Sequence, residues 1–258
     1  MCGIFCAVSC HKPIWPSLEL QRSLESRGPD SSGKASSTFQ RQRATSQSSN
    51  EPKVYATFFS TVLSLRGPKA VTQPYHPSAS EPVFCWNGEA WSINGQPPLE
   101  NDTAAVWELL NAVAKLSNAT EDRQQEVTRR VLLMAESLSM ISGPYAFVFC
   151  DSANGLLYFG RDFLGRRSLL TRVTDNGELL ISSITDSGMS DGWTEVEADG
   201  LYCVDLIAHG DDTTDGDGAA RFGRFAATKV PYHFKDEEAH GDLISVGHSG
   251  PSMSLSSW

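Results

Sequence analysis

An alternation of side chains begins directly after Met1 and predicts that the chain opens with a buried strand. Every second residue from Cys2 to Cys10 is aliphatic or a cysteine, and a period of two places such residues on one face of a sheet. Residues four apart on a strand are separated by about 13 Å at about 3.3 Å per residue, too far for a disulfide or a shared metal ion. The fold must therefore accommodate a core strand that starts with a thiol, and no metal is expected there.

Further elements follow from apolar spacing and from turn residues. A helix is predicted for residues 17–26, with Ser17 as its N-cap, and two more for residues 102–116 and 123–141. The predicted strands cover residues 54–65 and 83–86, and a meander covers residues 145–150, 156–160, 168–173 and 178–183. Residues 31–52 are rich in polar side chains and are predicted to form a loop. This mixture predicts an α+β domain built from layers.

The composition changes after about Leu206, which predicts one domain over residues 2–206 and a tail over residues 207–258. The tail has 4 basic and 8 acidic residues, many Gly and Ser, and no sustained apolar period. Such a segment buries too little apolar surface to offset the entropy of ordering. We therefore expect an acidic, disordered Gly/Ser-rich tail.

Charge and cysteine usage restrict the partners and the compartment. The net charge of -10 argues against nucleic acid or an anionic membrane as a partner, since both attract positive surfaces. The opening apolar run has no basic residue before it and is too short to span a membrane. The 6 cysteines are therefore expected to be reduced thiols of a cytoplasmic protein.

Position two gives Cys2 a chemistry that the other cysteines lack. Its small side chain allows methionine aminopeptidases to remove Met1, which leaves a thiol and a free α-amino group on one residue. An α-amino group has an ordinary pKa of about 7.7 to 8.0, so it can accept the thiol proton near neutral pH. The alternative is that Cys2 is simply a small buried residue at the start of a core strand.

An ordered set of short motifs resembles the class II glutamine amidotransferases, which are N-terminal nucleophile hydrolases. In chain order the motifs are Met1-Cys2-Gly3-Ile4-Phe5, Arg27-Gly28-Pro29-Asp30, Gln73-Pro74, Trp86-Asn87-Gly88-Glu89, Asp102 and Gly160-Arg161-Asp162-Phe163-Leu164-Gly165-Arg166. The resemblance implies a four-layer αββα sandwich over residues 2–206. It also implies hydrolysis of the glutamine side-chain amide without metal or cofactor, in a domain of the asparagine synthetase type linked to asparagine biosynthesis.

The resemblance implies three catalytic residues. Cys2 would be the nucleophile, and the Asn87 side-chain amide and the Gly88 backbone N–H would stabilise the oxyanion. Asn-Gly is also the strongest hairpin-turn dipeptide. A plain turn at residues 87 and 88 is therefore the alternative.

The resemblance also implies residues that bind the substrate. Asp102, with Glu89 nearby, would bind the α-ammonium group of glutamine, because a buried cation requires a negatively charged partner. Helix capping by Asn101 or Asp102 explains an acidic residue at this position equally well. Arg161 and Asp162 are predicted to make a structural ion pair or turn contacts rather than to catalyse.

Two features depart from the family. The arginine that binds the substrate α-carboxylate precedes a Leu-Ser pair, whereas here Val62 precedes Leu63 and Ser64. Arg66 is the nearest candidate substitute, about 13 Å along a regular strand. The tail also lacks the Ser-Gly-Gly-x-Asp-Ser phosphate loop of the synthetase domain, so a separate synthetase domain or protein would have to use the ammonia. The alternative function is a catalytically weak amidotransferase-like interaction module.

Overall fold

The computed structural model describes residues 1–41, 53–65, 70–185, 192–208 and 219–232. The helices are α1 Leu18–Arg27, α2 Asp102–Ala114 and α3 Arg123–Ser139. The strands are β1 Gly3–Ser9, β2 Ser31–Gln40, β3 Lys53–Val62, β4 Val83–Gly88, β5 Ser92–Ile93, β6 Ile141–Ser142, β7 Tyr145–Asp151, β8 Leu156–Arg161, β9 Leu170–Val173, β10 Leu179–Ser182, β11 Trp193–Glu195, β12 Gly200–Asp205, β13 Ala219–Phe222 and β14 Phe225–Pro231. Within these ranges, every helix falls short of the length and apolar character that crossing a membrane requires.

Two six-stranded sheets form the inner layers. The first has the order β11-β9-β10-β1-β3-β2 and the second β13-β14-β12-β8-β7-β4. Their facing side chains form one core, to which β1 contributes Ile4, Cys6 and Val8. Leu20 and Leu24 of α1 pack on the outer face of the first sheet, while α2 and α3 pack on that of the second. The layers are therefore α, β, β, α, which confirms the predicted sandwich.

The predicted helices are confirmed together with their starting signals. The Ser17 hydroxyl accepts a hydrogen bond of 3.1 Å from the backbone N–H of Leu20 at the start of α1. The Asn101 side chain caps α2 by accepting one of 2.8 Å from the N–H of Thr103. Each cap satisfies an N–H group that has no partner inside its helix. Since Asn101 is the cap, the side chain of Asp102 is available for other contacts.

The loop predicted for residues 31–52 is wrong in its first part. Residues 31–40 form β2, which pairs antiparallel with β3 along its whole length. The strand lies at an edge of the first sheet, and most of its side chains are exposed or only half-buried. Backbone hydrogen bonds can hold such an edge strand, so its side chains need not be apolar. Residues 42–52 lie outside the described part of the chain.

The predicted meander is wrong in its connectivity, although its four strands exist. The hairpin of β7 and β8 belongs to the second sheet, whereas β9 and β10 belong to the first. Strand propensity and turn residues locate the strands but do not say which sheet each one joins.

The tail predicted from residue 207 is also wrong in part. Residues 219–231 form the hairpin of β13 and β14, and β14 pairs with β12. Phe225 contributes to the core between the sheets, whereas Val230 packs towards the helices. Phe225, Ala227 and Val230 are the buried residues of β14 and the side chains between them are half-buried, so the strand shows no simple alternation. The remaining tail residues, 209–218 and 233–258, lie outside the described ranges.

A buried arginine joins the two helices of the outer layer. Arg130 of α3 is 1% exposed. Its guanidinium donates to Glu126 Oε1 at 2.7 Å, to the carbonyl of Val113 at 3.2 Å, to that of Leu116 at 2.6 Å and to Asn118 Oδ1 at 3.0 Å. It therefore satisfies carbonyl groups at the end of α2 that have no partner within the helix.

We expect Arg130→Ala to lower the free energy of unfolding by about 3 to 5 kcal/mol, because it removes one member of a buried, hydrogen-bonded ion pair. Arg129→Ala is the matched control. Arg129 contacts the same carboxylate, but its side chain is 30% exposed, so solvent screening should leave only a small loss. Urea unfolding of both variants measures the difference, and equal losses would contradict a special role for Arg130.

Candidate active site

A small cavity collects residues from distant parts of the chain. Its volume is about 40 Å³, well below the roughly 300 Å³ of a typical ligand pocket. Its described lining residues are Met1, Cys2, Val62, Leu63, Ser64, Leu65, Gln73, Trp86, Asn87, Gly88, Glu89, Asn101, Asp102, Thr103 and Arg167. The structure thus brings together five of the six predicted site residues, while Arg66 lies outside the described residues.

Cys2 is held at the cavity by the strand that follows it. β1 pairs with β10 on one side and with β3 on the other, so its start cannot move freely. The Cys2 side chain is 8% exposed, and its thiol donates a weak hydrogen bond of 3.8 Å to the carbonyl of Leu63. Burial raises the pKa of this thiol above its ordinary value, while the charge of Arg167 acts in the opposite direction. Formation of the thiolate therefore needs a nearby base.

Asn87 and Gly88 end strand β4 and do not form a hairpin turn. They pair with Ala146 and Tyr145 of β7, so the turn alternative is wrong. Asn87 is 1% exposed, and its Nδ2 has no hydrogen-bond partner within the described part of the chain. A buried donor without an acceptor is costly, and such groups are a sign of a functional site. This amide is free to donate to an oxygen that enters the cavity.

Residue 88 has room only for glycine. A Cβ atom there would lie 2.7 Å from the Cβ of Tyr145 and 2.8 Å from the indole of Trp86. The rings of Trp86 and Tyr145 stack at a centroid distance of 5.2 Å, so neither can yield easily. The backbone next to Asn87 is thereby kept against a rigid aromatic wall.

Asp102 lies in the first turn of α2 and presents one carboxylate oxygen to the cavity wall. Its Oδ2 accepts hydrogen bonds from the indole N–H of Trp86 at 3.2 Å and from the backbone N–H of Ala90 at 2.8 Å. No described residue donates to Oδ1. Glu89 also lines the cavity and is half-buried. The Asp102 carboxylate places a negatively charged group at this wall.

Gln73 is a residue that positions β4 and α2, and it was not among the site residues predicted from the sequence. It is 1% exposed, its Oε1 accepts from the backbone N–H of Trp86 at 2.6 Å, and its Nε2 donates to Thr103 Oγ1 at 3.4 Å. The side chain therefore links β4 to the start of α2, the two elements that carry Asn87 and Asp102. The Gln73-Pro74 motif was the available signal.

The turn after α1 shapes the cavity edge. The Asp30 carboxylate accepts a hydrogen bond of 2.7 Å from the backbone N–H of Ser64. A Cβ at Gly28 would lie 2.5 Å from the nitrogen of Val62, so only glycine allows this close approach. Val62 is buried against the cavity and contributes no charge to it.

Arg161 and Asp162 make turn contacts, but not with each other. Asp162 Oδ1 accepts from Arg166 Nε at 2.8 Å, while Arg161 Nε donates to the carbonyl of Arg167 at 2.7 Å and Nη1 forms an ion pair with Glu195 at 2.7 Å. These bonds fix the loop after β8. The loop places Arg167 at the cavity, a position that the sequence analysis did not single out.

Met1 covers one end of the cavity. Its sulfur lies 3.8 Å from a guanidinium nitrogen of Arg27 and 3.8 Å from one of Arg167, and its α-amino group donates to the carbonyl of Arg27 at 3.2 Å. The residue is 48% exposed. A peptidase could therefore reach it, and its removal would enlarge the cavity and uncover the two arginines.

Two curated relatives match most of the chain. It is 34% identical over 213 residues to asparagine synthetase domain-containing protein 1 of Bos taurus and 33% identical over 213 residues to that of Homo sapiens. Each match covers 80% of this chain but only 29% and 28% of the relatives. The chain thus spans less than a third of the length of these relatives. No protein-family profile matches it.

Solved structures show a more distant likeness. The glutamine phosphoribosylpyrophosphate amidotransferase from B. subtilis is 15% identical with a TM-score of 0.42, over 79% of this chain and 47% of that chain. A structure of the allosteric regulatory enzyme of purine biosynthesis is 14% identical with a TM-score of 0.48, over 90% and 49%. The layer order described above stands on the contacts of this chain alone. By the sequence matches, the chain is similar over most of its length to part of the asparagine synthetase domain-containing proteins.

Proposed function

We propose that this domain hydrolyses the side-chain amide of glutamine with Cys2 as its nucleophile, after Met1 has been removed. The observation that carries the proposal is the shared cavity of Cys2, Asn87 and Asp102, which lie far apart in the sequence. A thiol, a buried amide donor without a partner and a carboxylate are the groups that cleavage of an amino-acid amide requires.

In the proposed reaction, the α-amino group of Cys2 takes the thiol proton and the thiolate adds to the amide carbonyl. The Asn87 amide and the Gly88 N–H donate to the resulting oxyanion. The C–N bond then breaks, and the departing nitrogen takes a proton from the α-ammonium group of Cys2. Ammonia is released, and the substrate remains bound to Cys2 as a thioester. Water, deprotonated by the same amino group, adds to the thioester, and the C–S bond breaks to give glutamate and the free thiol.

The wall formed by Asp102 supports recognition of an amino-acid substrate. Its Oδ2 is occupied by two donors that hold the carboxylate in place, and Oδ1 is available to accept from the α-ammonium group of glutamine. Glu89 would add a second negative charge to this end of the site. The substrate would thus be oriented with its side-chain amide towards Cys2.

The names of the relatives support a use for the ammonia. We propose that it serves asparagine formation by a synthetase domain or a separate synthetase protein, in the cytoplasm. The alternative, a catalytically weak interaction module, is favoured by Val62, which leaves the place of the family's carboxylate-binding arginine uncharged.

We expect the wild-type protein to release glutamate and ammonia from glutamine in equal amounts, and Asn87→Ala to lower kcat by about 10²- to 10³-fold, because the oxyanion loses a donor. Asn111→Ala is the matched control, since Asn111 is also a buried asparagine but does not line the cavity. Initial rates of glutamate release measure both variants. Background turnover by all three proteins would favour the interaction module instead.

A further inference from the structure

An amino-acid substrate needs partners of both charges at the cavity. Glutamine carries both an α-ammonium and an α-carboxylate group, and the carboxylate of Asp102 suits only the first. Val62 cannot bind a carboxylate. Among the described side chains that line the cavity, Arg167 carries the positive charge.

The backbone of Arg167 is fixed, while the described partner of its guanidinium is a weak acceptor. Arg161 Nε holds the Arg167 carbonyl at 2.7 Å, and Arg161 Nη1 is itself bound to the carbonyl of Val196 at 2.9 Å. The described hydrogen bond of the Arg167 guanidinium is that of 3.8 Å to the sulfur of Met1. A thioether is a weak acceptor, and a guanidinium has five donors whose geometry matches a carboxylate.

Met1 occupies the space in front of this guanidinium. Its sulfur contacts both Arg27 and Arg167, and its side chain lines the cavity beside Cys2. Removal of Met1 would leave a space bordered by the nucleophile and by two guanidinium groups. A small anion fits that space better than an apolar group, because it supplies the acceptors that the sulfur does not.

We infer that Arg167 binds the α-carboxylate of the substrate, in the space that the Met1 side chain fills before its removal. This inference rests on the proposed function, because it assumes that an amino acid is the substrate. Arg167 thereby takes the task that the family assigns to an arginine at the position of Val62. The two functions of Met1 removal are then to free the α-amino group of Cys2 and to open the carboxylate site.

The test compares two electrophiles that differ only in charge. One is the diazoketone analogue of L-glutamine, and the other is the same diazoketone with its α-carboxylate converted to a neutral amide. Both alkylate a reactive thiol with loss of N₂. Rates of labelling at Cys2 are measured by peptide mapping for wild type, Arg167→Ala, Arg167→Lys and the control Arg22→Ala, whose side chain is exposed on α1. Intact mass confirms that Met1 is absent from each protein.

We expect Arg167→Ala to slow labelling by the charged probe about 10- to 100-fold, the value of a charged hydrogen bond. Labelling by the neutral probe should change less than about threefold by the same reasoning, because that probe makes no ion pair. Arg167→Lys should restore part of the rate by keeping the charge, and Arg22→Ala should match wild type with both probes. A KM for glutamine that rises in Arg167→Ala, with kcat less affected, would agree with this result.

Each other outcome is decisive. Equal slowing of both probes would mean that Arg167 acts only on the thiolate, and would overturn the inference. Unchanged rates in Arg167→Ala would also overturn it, and a loss in Arg66→Ala would then assign the carboxylate to Arg66. Equal labelling of wild type by both probes would overturn it while leaving Cys2 reactive. If neither probe labels Cys2 of wild type, the proposed function itself fails.

Discussion

Replacing Cys2 with alanine is expected to reduce glutamine hydrolysis to background, a loss of roughly 10⁴-fold or more in kcat. The thiol is the group that forms the thioester, and no neighbouring side chain can replace it in the proposed reaction. Alanine is also small, so Met1 is still removed and the α-amino group remains at the cavity. The loss therefore reports the thiol alone, and initial rates of glutamate release measure it.

Cys10→Ala is the matched control for this variant. Cys10 follows the opposite end of β1, is half-buried and does not line the cavity, so its loss should leave kcat unchanged. Urea unfolding of both variants shows whether either substitution damages the fold. If Cys2→Ala keeps more than about one hundredth of the turnover, another group is the nucleophile and the roles assigned by the N-terminal position are wrong.

Apolar spacing predicted β1 and α2, two of the elements that carry the site. The alternation after Met1 is the inner face of β1, and the helical spacing after Asn101 is the buried side of α2. The ordered motifs predicted which residues would meet, and Cys2, Asn87 and Asp102 do line one cavity. No local property of the sequence could bring these residues together, since Cys2 directly precedes β1 while Asn87 and Asp102 lie in β4 and α2, and these elements belong to three different layers.

The features that were not predicted from the sequence share a physical cause: their structure or position depends on residues that are distant in the sequence. β2 is polar because it is an edge strand held by β3, and β14 lacks alternation because its buried residues Phe225 and Val230 pack on opposite faces. Arg167 was overlooked because it belongs to a loop whose position depends on Arg161 and Asp162. Arg66 was selected by sequence proximity to Val62, whereas Arg167 lines the cavity from the loop after β8.

An extension that blocks the N-terminus should suppress the activity nearly as strongly as loss of the thiol. When Cys2 is preceded by a cleavable tag, its nitrogen is part of an amide and cannot accept the thiol proton. Burial raises the pKa of the Cys2 thiol, so without a base little thiolate forms at neutral pH. We expect cleavage that leaves Cys2 as the first residue to raise kcat by about 10²- to 10⁴-fold, the value of a positioned general base. Assays of one preparation before and after cleavage measure the change.

The pH dependence of kcat in the cleaved protein distinguishes the loss of the general base from steric blocking of the site by the tag. Below the ordinary α-amino pKa of about 7.7 to 8.0, the group is an ammonium ion and cannot accept a proton, so kcat should fall as the pH falls. Cleavage that leaves a glycine before Cys2 is the control: it removes the bulk of the tag and keeps an amino terminus, but displaces that terminus from the thiol. Full activity in this control, or equal rates before and after cleavage, would contradict Cys2 as nucleophile and base in one residue.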